Sequence, residues 1–134
     1  MWAELARTGN AFCLDFTKKI VSNSGYILII DDSDDNLLYL VAFLNSACML
    51  YSLNQISTRL DTTGWRWLRQ FVELLRIPPF VEKDRIIDLM KSMTAINKND
   101  VSVEINSLIA RIYGFTTKEE EYIYKQLGKF TNIR

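Results

Sequence analysis

A long apolar segment, residues 37–53, constrains the fold more than any other part of the chain. Its apolar side chains recur at steps of three and four residues, which is the spacing of one face of an α-helix. Further apolar residues, among them Phe43 and Met49, lie on the other faces of the same helix. Since a helix that is apolar nearly all round is buried, we expect one central helix around which the rest of the chain packs.

Residues 11–30, which precede this helix, carry the patterns of β-strands. Large apolar residues alternate with smaller or polar ones from Phe12 to Phe16, the period of a half-buried strand. A second short strand is expected at 18–21, followed by a turn rich in Ser, Asn and Gly. Residues 26–30 are mostly β-branched, which predicts a fully buried strand.

Four carboxylates in residues 31–35 lie between these strands and the central helix. Their spacing lacks the glycine and the distal glutamate of a calcium-binding loop. Acidic residues before a helix cap its free amides and complement its positive end. We therefore expect a helix cap here and no cation site.

The C-terminal third of the sequence predicts helices. One is expected from Asp84 to about Ile96 and a second from about Val101 to the terminator Gly114. A last helix should begin at a capping box, formed either by Thr116 with Glu119 or by Thr117 with Glu120. The predicted fold class is α+β: a small β unit packed around a central buried helix, followed by a helical C-terminal tail. We assign residues 1–80 to the first region and residues 81–134 to a tail of the same domain.

Composition narrows the possible functions. Hydrophobic residues make up 49% of the chain, which excludes a disordered protein, and the formal net charge is zero, so no global basic excess points to nucleic acid. The chain contains no histidine, which removes the commonest general base and metal ligand and makes an autonomous hydrolase a poor candidate. No apolar run reaches the roughly 20 residues of a membrane span, and the N-terminus lacks the order of a secretory signal. We expect a cytoplasmic protein without membrane contact.

Residues 54–70 differ from the rest of the chain, being polar, hydroxyl-rich, basic and aromatic at once. Gly64 predicts a loop tip, and residues 70–75 predict one or two helical turns that end before the prolines at 78 and 79. Arginine can form two hydrogen bonds with guanine, glutamine can do so with adenine, and threonine and aromatic side chains contact phosphates and stacked bases. The segment therefore contains the residue types of a DNA-recognition loop.

Four phrases occur along the chain in this order: residues 12–15 with 26–29, residues 39–46 with their Leu-Asn-Ser ending, residues 56–58 and then 67–70 leading into 75–78, and residues 104–109 with 112–116 and 119–120. In this order they resemble the C-terminal specificity domain of TaqI-like adenine-specific DNA methyltransferases, which also recurs in fused restriction–modification enzymes. Together they cover roughly residues 11–125. The departures from the family pattern are Arg76, where the family prefers proline, and the variable residues 61–64, which leave the recognised bases open.

The resemblance implies a domain that recognises double-stranded DNA for attached catalytic domains. The catalytic motifs of such enzymes are missing from the sequence: it has no Asn-Pro-Pro-Tyr-like tetrapeptide and no glycine-rich loop after a strand. We expect no catalytic residue, metal or cofactor in this chain, which would be the C-terminal fragment of a longer restriction–modification enzyme or adenine methyltransferase. S-adenosylmethionine would be bound by the parent enzyme, and the partners would be DNA and the methyltransferase or nuclease domains of the parent.

Seven residues form the predicted DNA-contact set, and they all lie in the polar segment: Arg59, Thr62, Thr63, Trp65, Arg66, Arg69 and Gln70. Another interpretation stays open for several of them. Trp65 and Trp67 are also candidates for core anchors, and the arginines for solvated side chains that cover apolar surface. The alternative function is a helical structural or protein-interaction module that docks the other domains of the parent.

Overall fold

The fold is α+β, with helices that pack around two small antiparallel sheets. A computed structural model describes residues 1–3, 5–6, 12–17, 25–30, 32–59 and 64–130. Over these residues the elements are β1 (Trp2–Ala3), β2 (Leu5–Ala6), β3 (Gly25–Tyr26), α1 (Asp34–Leu44), α2 (Ala47–Ile56), β4 (Thr58–Arg59), β5 (Trp65–Arg66), α3 (Arg69–Val72), α4 (Lys83–Ser92), α5 (Lys98–Ile112) and α6 (Thr117–Phe130).

The two sheets are built from strands that are distant in the sequence. In the first sheet β1 pairs with β3, so that Trp2 lies opposite Tyr26. In the second the order is β2-β5-β4, with β5 in the middle and both pairs antiparallel. The N-terminal strands β1 and β2 therefore tie the start of the chain to both sheets.

The prediction of one continuous central helix was wrong, because the apolar segment folds as α1 and α2 with a bend of 62° between them. Asn45 ends α1, and its amide group forms hydrogen bonds with the backbone of Phe12 in both directions, at 3.1 and 2.8 Å. Ser46 caps α2 by accepting from the Met49 amide, and Asn106 of α5 accepts from the Ala47 amide at 2.7 Å. Ser46 and Asn106 thus satisfy amides at the start of α2, whereas Asn45 ties the bend to Phe12.

The buried strand predicted at residues 26–30 was also wrong. Pairing stops at Tyr26, and Ile27, Leu28, Ile29 and Ile30 are exposed, Ile29 to 87%. A β-branched run is buried on both faces only when other elements cover it, and the described part of the chain supplies no such cover. In the run from Phe12 to Phe16, Phe12 is buried but Phe16 is 64% exposed, without regular strand structure. The strand and turn predicted at residues 18–24 lie outside the described residues.

The predicted caps are confirmed. At the start of α1 the capping residue is Ser33, which lies within the acidic segment and accepts a hydrogen bond from the Asn36 amide, whereas the acidic Asp34 and Asp35 lie in the first turn of the helix. At the end of α5 Gly114 takes a φ of 78°, and Phe115 donates its amide to Ala110, the pattern of a left-handed helix terminator. Of the two possible capping boxes, the structure forms Thr116 with Glu119, in which the Thr116 amide donates to the Glu119 carboxylate at 2.7 Å.

One buried cluster contains side chains from residues 1–80 and from the tail. Phe43 and Leu53 of the two central helices and Ile86 and Ile109 of the tail are each fully buried in it. Helix α4 packs against α1, while α5 and α6 pack against α2. The tail therefore covers the two central helices.

Within the described residues, no single helix combines the length and the hydrophobicity needed to cross a membrane. Only α1 and α2 taken together reach both, as a bent pair.

Candidate nucleic-acid interface

The predicted contact residues that the structure describes lie on a β-hairpin and on the short helix that follows it. Strands β4 and β5 form the hairpin, in which Arg59 lies opposite Trp65 and Thr58 lies opposite Arg66. Residues directly opposite each other in an antiparallel pair share one face of the sheet. Arg59 therefore shares a face with Trp65, and Arg66 shares the other face with Thr58.

The burial of β5 shows which of these faces points inward. Trp65 is 9% exposed and Trp67 only 2%, whereas Arg66 between them is exposed. Thr58, opposite Arg66, is exposed as well. The face with Trp65 and Trp67 packs on the core, and the face with Thr58 and Arg66 points outward.

Trp67 joins the base of the hairpin to the core through hydrogen bonds and ring contacts. Its indole N–H donates to the Asn54 side chain of α2 at 3.2 Å, and its carbonyl accepts from the Trp2 indole at 2.9 Å. Its ring stacks on Phe12, with centroids 5.8 Å apart, and Trp2 in turn contacts Phe12 and Tyr26. The start of the chain, α2 and the hairpin thus meet at Trp67.

Of the two interpretations left open for Trp65, packing in the core is the one that the structure shows. Arg59 lies over its ring, with the guanidinium carbon 5.6 Å from the ring centroid, within the range of a cation–π contact. In this position the ring of Trp65 is not available for stacking on an exposed base. Its role at the site is to hold Arg59.

Arg69 and Gln70 begin α3 and are both exposed. Arg69 forms an ion pair with Glu73, one helical turn further on, at 2.6 Å. This hydrogen bond to Glu73 raises the pKa of the arginine. A phosphate that contacts Arg69 would have to compete with this carboxylate.

The remaining predicted contacts, Thr62 and Thr63, lie outside the described residues. They belong to the connection between β4 and β5. Gly64, predicted at the tip of this connection, directly precedes β5 and is buried.

Two residues of the site were not predicted from the sequence. Thr58 was not predicted because its exposure beside Arg66 depends on the register of the hairpin. Asn54 is 6% exposed and holds the indole of Trp67. The sequence feature that could have identified Asn54 is its position on the apolar face of α2, four residues after Leu50 and one after Leu53. A polar side chain at such a position needs a buried hydrogen-bond partner.

The charge of this segment differs from that of the whole chain. Residues 54–76 contain four arginines, Arg59, Arg66, Arg69 and Arg76, against Asp61 and Glu73. A surplus of two positive charges therefore lies here within a chain of zero net charge. The described residues contain no group of three or more Asp, Glu or Cys side chains that could hold a metal ion.

Comparison with protein-family models, with curated proteins and with solved structures finds no match for the chain. The resemblance to the TaqI-like specificity domain thus stays a prediction based on the four phrases. The structure gives polar residues of these phrases a local role: Asn45 and Asn106 secure the bend between α1 and α2.

A second surface feature lies at the first sheet. A groove of about 550 Å³ runs between α1 and the exposed residues 27–30. It is lined largely by apolar side chains, including Leu37, Leu40 and Val41 of α1, and Arg69 and Glu73 lie at its border. A groove of this kind is suited to an apolar partner surface.

Proposed function

We propose that this chain recognises double-stranded DNA for the catalytic domains of a restriction–modification enzyme or an adenine-N6 methyltransferase. The observation that carries the proposal is the anchored hairpin β4–β5, which presents exposed arginines on a rigid base. The major groove of B-DNA, where base pairs are distinguishable by their hydrogen-bonding groups, admits a two-stranded β-ribbon. Strands β4 and β5 would enter it from the side of the three-stranded sheet that lies away from β2. The resemblance of the four ordered phrases supports the same function.

The proposal also covers the domains that would be attached to this chain and the cell compartment in which it would work. Binding of S-adenosylmethionine and methyl transfer would belong to the attached methyltransferase domain, and this chain would supply the duplex contact. A protein that acts on cellular or invading DNA in this way would work in the cytoplasm and without a membrane.

Two properties of the site favour a duplex partner. The positive surplus of two charges is concentrated in residues 54–76, whereas the longer tail, residues 81–134, has a surplus of one, so that DNA would be attracted more strongly to the hairpin segment. Trp67 and Asn54 fix the base of the hairpin, which lowers the entropy lost when the exposed arginines bind. An element that recognises a DNA sequence needs charged side chains that are held in place by a fixed scaffold.

The test is binding of the 134-residue chain to a mixed-sequence duplex at several salt concentrations. We expect an affinity that falls steeply with salt, because phosphate contacts release counterions. The double substitution Arg59→Ala with Arg66→Ala should weaken binding by roughly tenfold or more and make the salt dependence shallower.

The matched control is Arg85→Ala with Arg111→Ala, which removes the same charge from exposed positions in α4 and α5. This variant should bind almost as the wild type does. Equal losses in the two double variants would mean that only net charge matters, and the hairpin would not be the recognition element.

A structural or protein-interaction module is the second candidate, and the apolar groove beside residues 27–30 favours it. The two functions differ in their salt response, because burial of apolar surface depends little on screening. If the wild-type chain shows no duplex binding even at low salt, the docking function becomes the better account of the fold.

A further inference from the structure

We infer that Thr58 and Arg66, the outward-facing pair of the hairpin, form the base-reading surface, and that Arg59 positions the hairpin. The inference rests on the proposed DNA-binding function and divides the roles within it. Thr58 is absent from the contact set predicted from the sequence, and Arg59 was one of its strongest members.

The first step is the register of the hairpin. Thr58 lies directly opposite Arg66, and such pairs have Cβ atoms about 4.5–5.5 Å apart. Neighbouring bases on one DNA strand are separated by about 3.4 Å. Two side chains at this spacing can contact adjacent base pairs in one groove.

The second step is the direction of the two faces. The alternation of buried Trp65, exposed Arg66 and buried Trp67 directs one face of β5 to the core and the other to solvent. A duplex that approaches the exposed face meets Arg66 with Thr58 on one side of it, while Leu5 of β2 lies opposite Arg66 on the other side. Arg59 shares the face of Trp65, and although its side chain is exposed, its guanidinium lies over that ring.

The third step is the chemistry of each side chain. The guanidinium of Arg66 matches the O6 and N7 acceptors of guanine, and threonine offers a methyl group and a hydroxyl to the neighbouring pair. Arg59 lies over the Trp65 ring, and this electrostatic attraction restricts where its guanidinium can lie. Arg59 therefore covers a buried ring and keeps β4 in place against β5.

The experiment measures base preference, by selecting bound duplexes from a randomised library with the 134-residue chain. Arg66→Gln should change one position from guanine to adenine, because glutamine pairs with adenine as arginine does with guanine. A discrimination of roughly 5- to 150-fold at that position is expected to be reversed. Thr58→Val keeps the shape and strand preference of the side chain, and should change preference only at the adjoining position.

Arg59→Lys is the matched variant, because lysine keeps the positive charge and the cation–π contact with Trp65. It should leave the preference profile unchanged, whereas Arg59→Ala should lower affinity evenly for all sequences. A change of base preference in Arg59→Lys, or a wild-type profile in Arg66→Gln, would overturn the division of roles while the proposed function stands. A wild-type chain that binds no duplex, or shows no preference among sequences, would overturn the proposed function itself.

Discussion

Trp67 is the residue on which the geometry of the hairpin depends most. Its indole N–H, its carbonyl and its ring each contact a different part of the chain: Asn54, Trp2 and Phe12. The indole and the Asn54 amide are both buried. If one partner is removed, water cannot take its place without a loss of stability. The sequence predicts an anchoring tryptophan here, but the identity of its partner requires the packing of α2.

The substitution Trp67→Phe should destabilise the protein by about 1–3 kcal/mol. Phenylalanine fills part of the space but leaves the carbonyl of the Asn54 side chain buried without its donor, and an unpaired buried polar group carries that penalty. The change in the free energy of unfolding, measured by urea titration followed by circular dichroism, tests this expectation.

A double variant separates the hydrogen bond from the loss of ring volume. Trp67→Phe combined with Asn54→Leu removes both polar partners, which costs less than leaving one of them unpaired. We expect the double variant to be more stable than Trp67→Phe alone. If it is less stable by the sum of the two single effects, the bond from Trp67 to Asn54 does not couple the two residues.

At the scale of the elements, features fixed by nearby residues were predictable and features fixed by distant ones were not. Thr116 and Glu119 cap α6 within four residues, and Gly114 ends α5 through its own φ. The bend between α1 and α2 depends instead on Phe12 and Asn106, far away in the sequence. The apolar spacing continues across the bend from Leu44 to Cys48, on either side of the polar pair Asn45 and Ser46, because both helices bury their side chains in the same core.

The same distinction applies to the hairpin. Residue types alone identified Arg59 and Arg66 as candidates, since arginine is the commonest reader of guanine. Which of them points outward depends on the pairing of β4 with β5, where a shift by one residue exchanges the two faces. Thr58 gains its place beside Arg66 only through that register.

The exposed aliphatic run at residues 27–30 gives the first sheet a surface through which copies of the chain can associate. Four consecutive aliphatic residues with β propensity, without a charge among them, form a template for pairing with other chains. The groove beside them adds apolar area to the same surface.

The substitution Ile29→Lys should raise the protein concentration at which the chain begins to associate. Ile29 is 87% exposed, so its replacement should change the free energy of unfolding by no more than about 0.5 kcal/mol. Light scattering over a series of concentrations measures the association. Ile29→Val, which keeps the run apolar, is the control and should associate as the wild type does. Equal association of Ile29→Lys and the wild type would show that residues 27–30 are not the surface through which the chains associate.

At the scale of the whole molecule, the tail and the first region share one core. Ile86 and Ile109 of the tail are buried in the same cluster as Phe43 and Leu53, and α5 contacts α2 directly and through Asn106. A region that contributes to a common core should not unfold separately from it. The hairpin would then owe part of its rigidity to helices that lie outside the proposed DNA surface.

The substitution Ile109→Val tests this dependence, because all three tryptophans lie outside the tail. The three tryptophans of the chain are Trp2, Trp65 and Trp67, while Ile109 lies in α5 and is fully buried. Removing one buried methyl group should cost about 0.5–1.5 kcal/mol. If residues 1–80 and 81–134 unfold as one unit, the unfolding transitions followed by tryptophan fluorescence and by far-ultraviolet circular dichroism should shift to lower urea concentration by the same amount.

Val103→Ala, at a position of α5 that is 62% exposed, is the control and should leave both transitions nearly in place. A dichroism transition that moves while the fluorescence transition stays would show that the tail unfolds by itself, and the rigidity of the hairpin would then come from α1, α2 and the N-terminal strands alone.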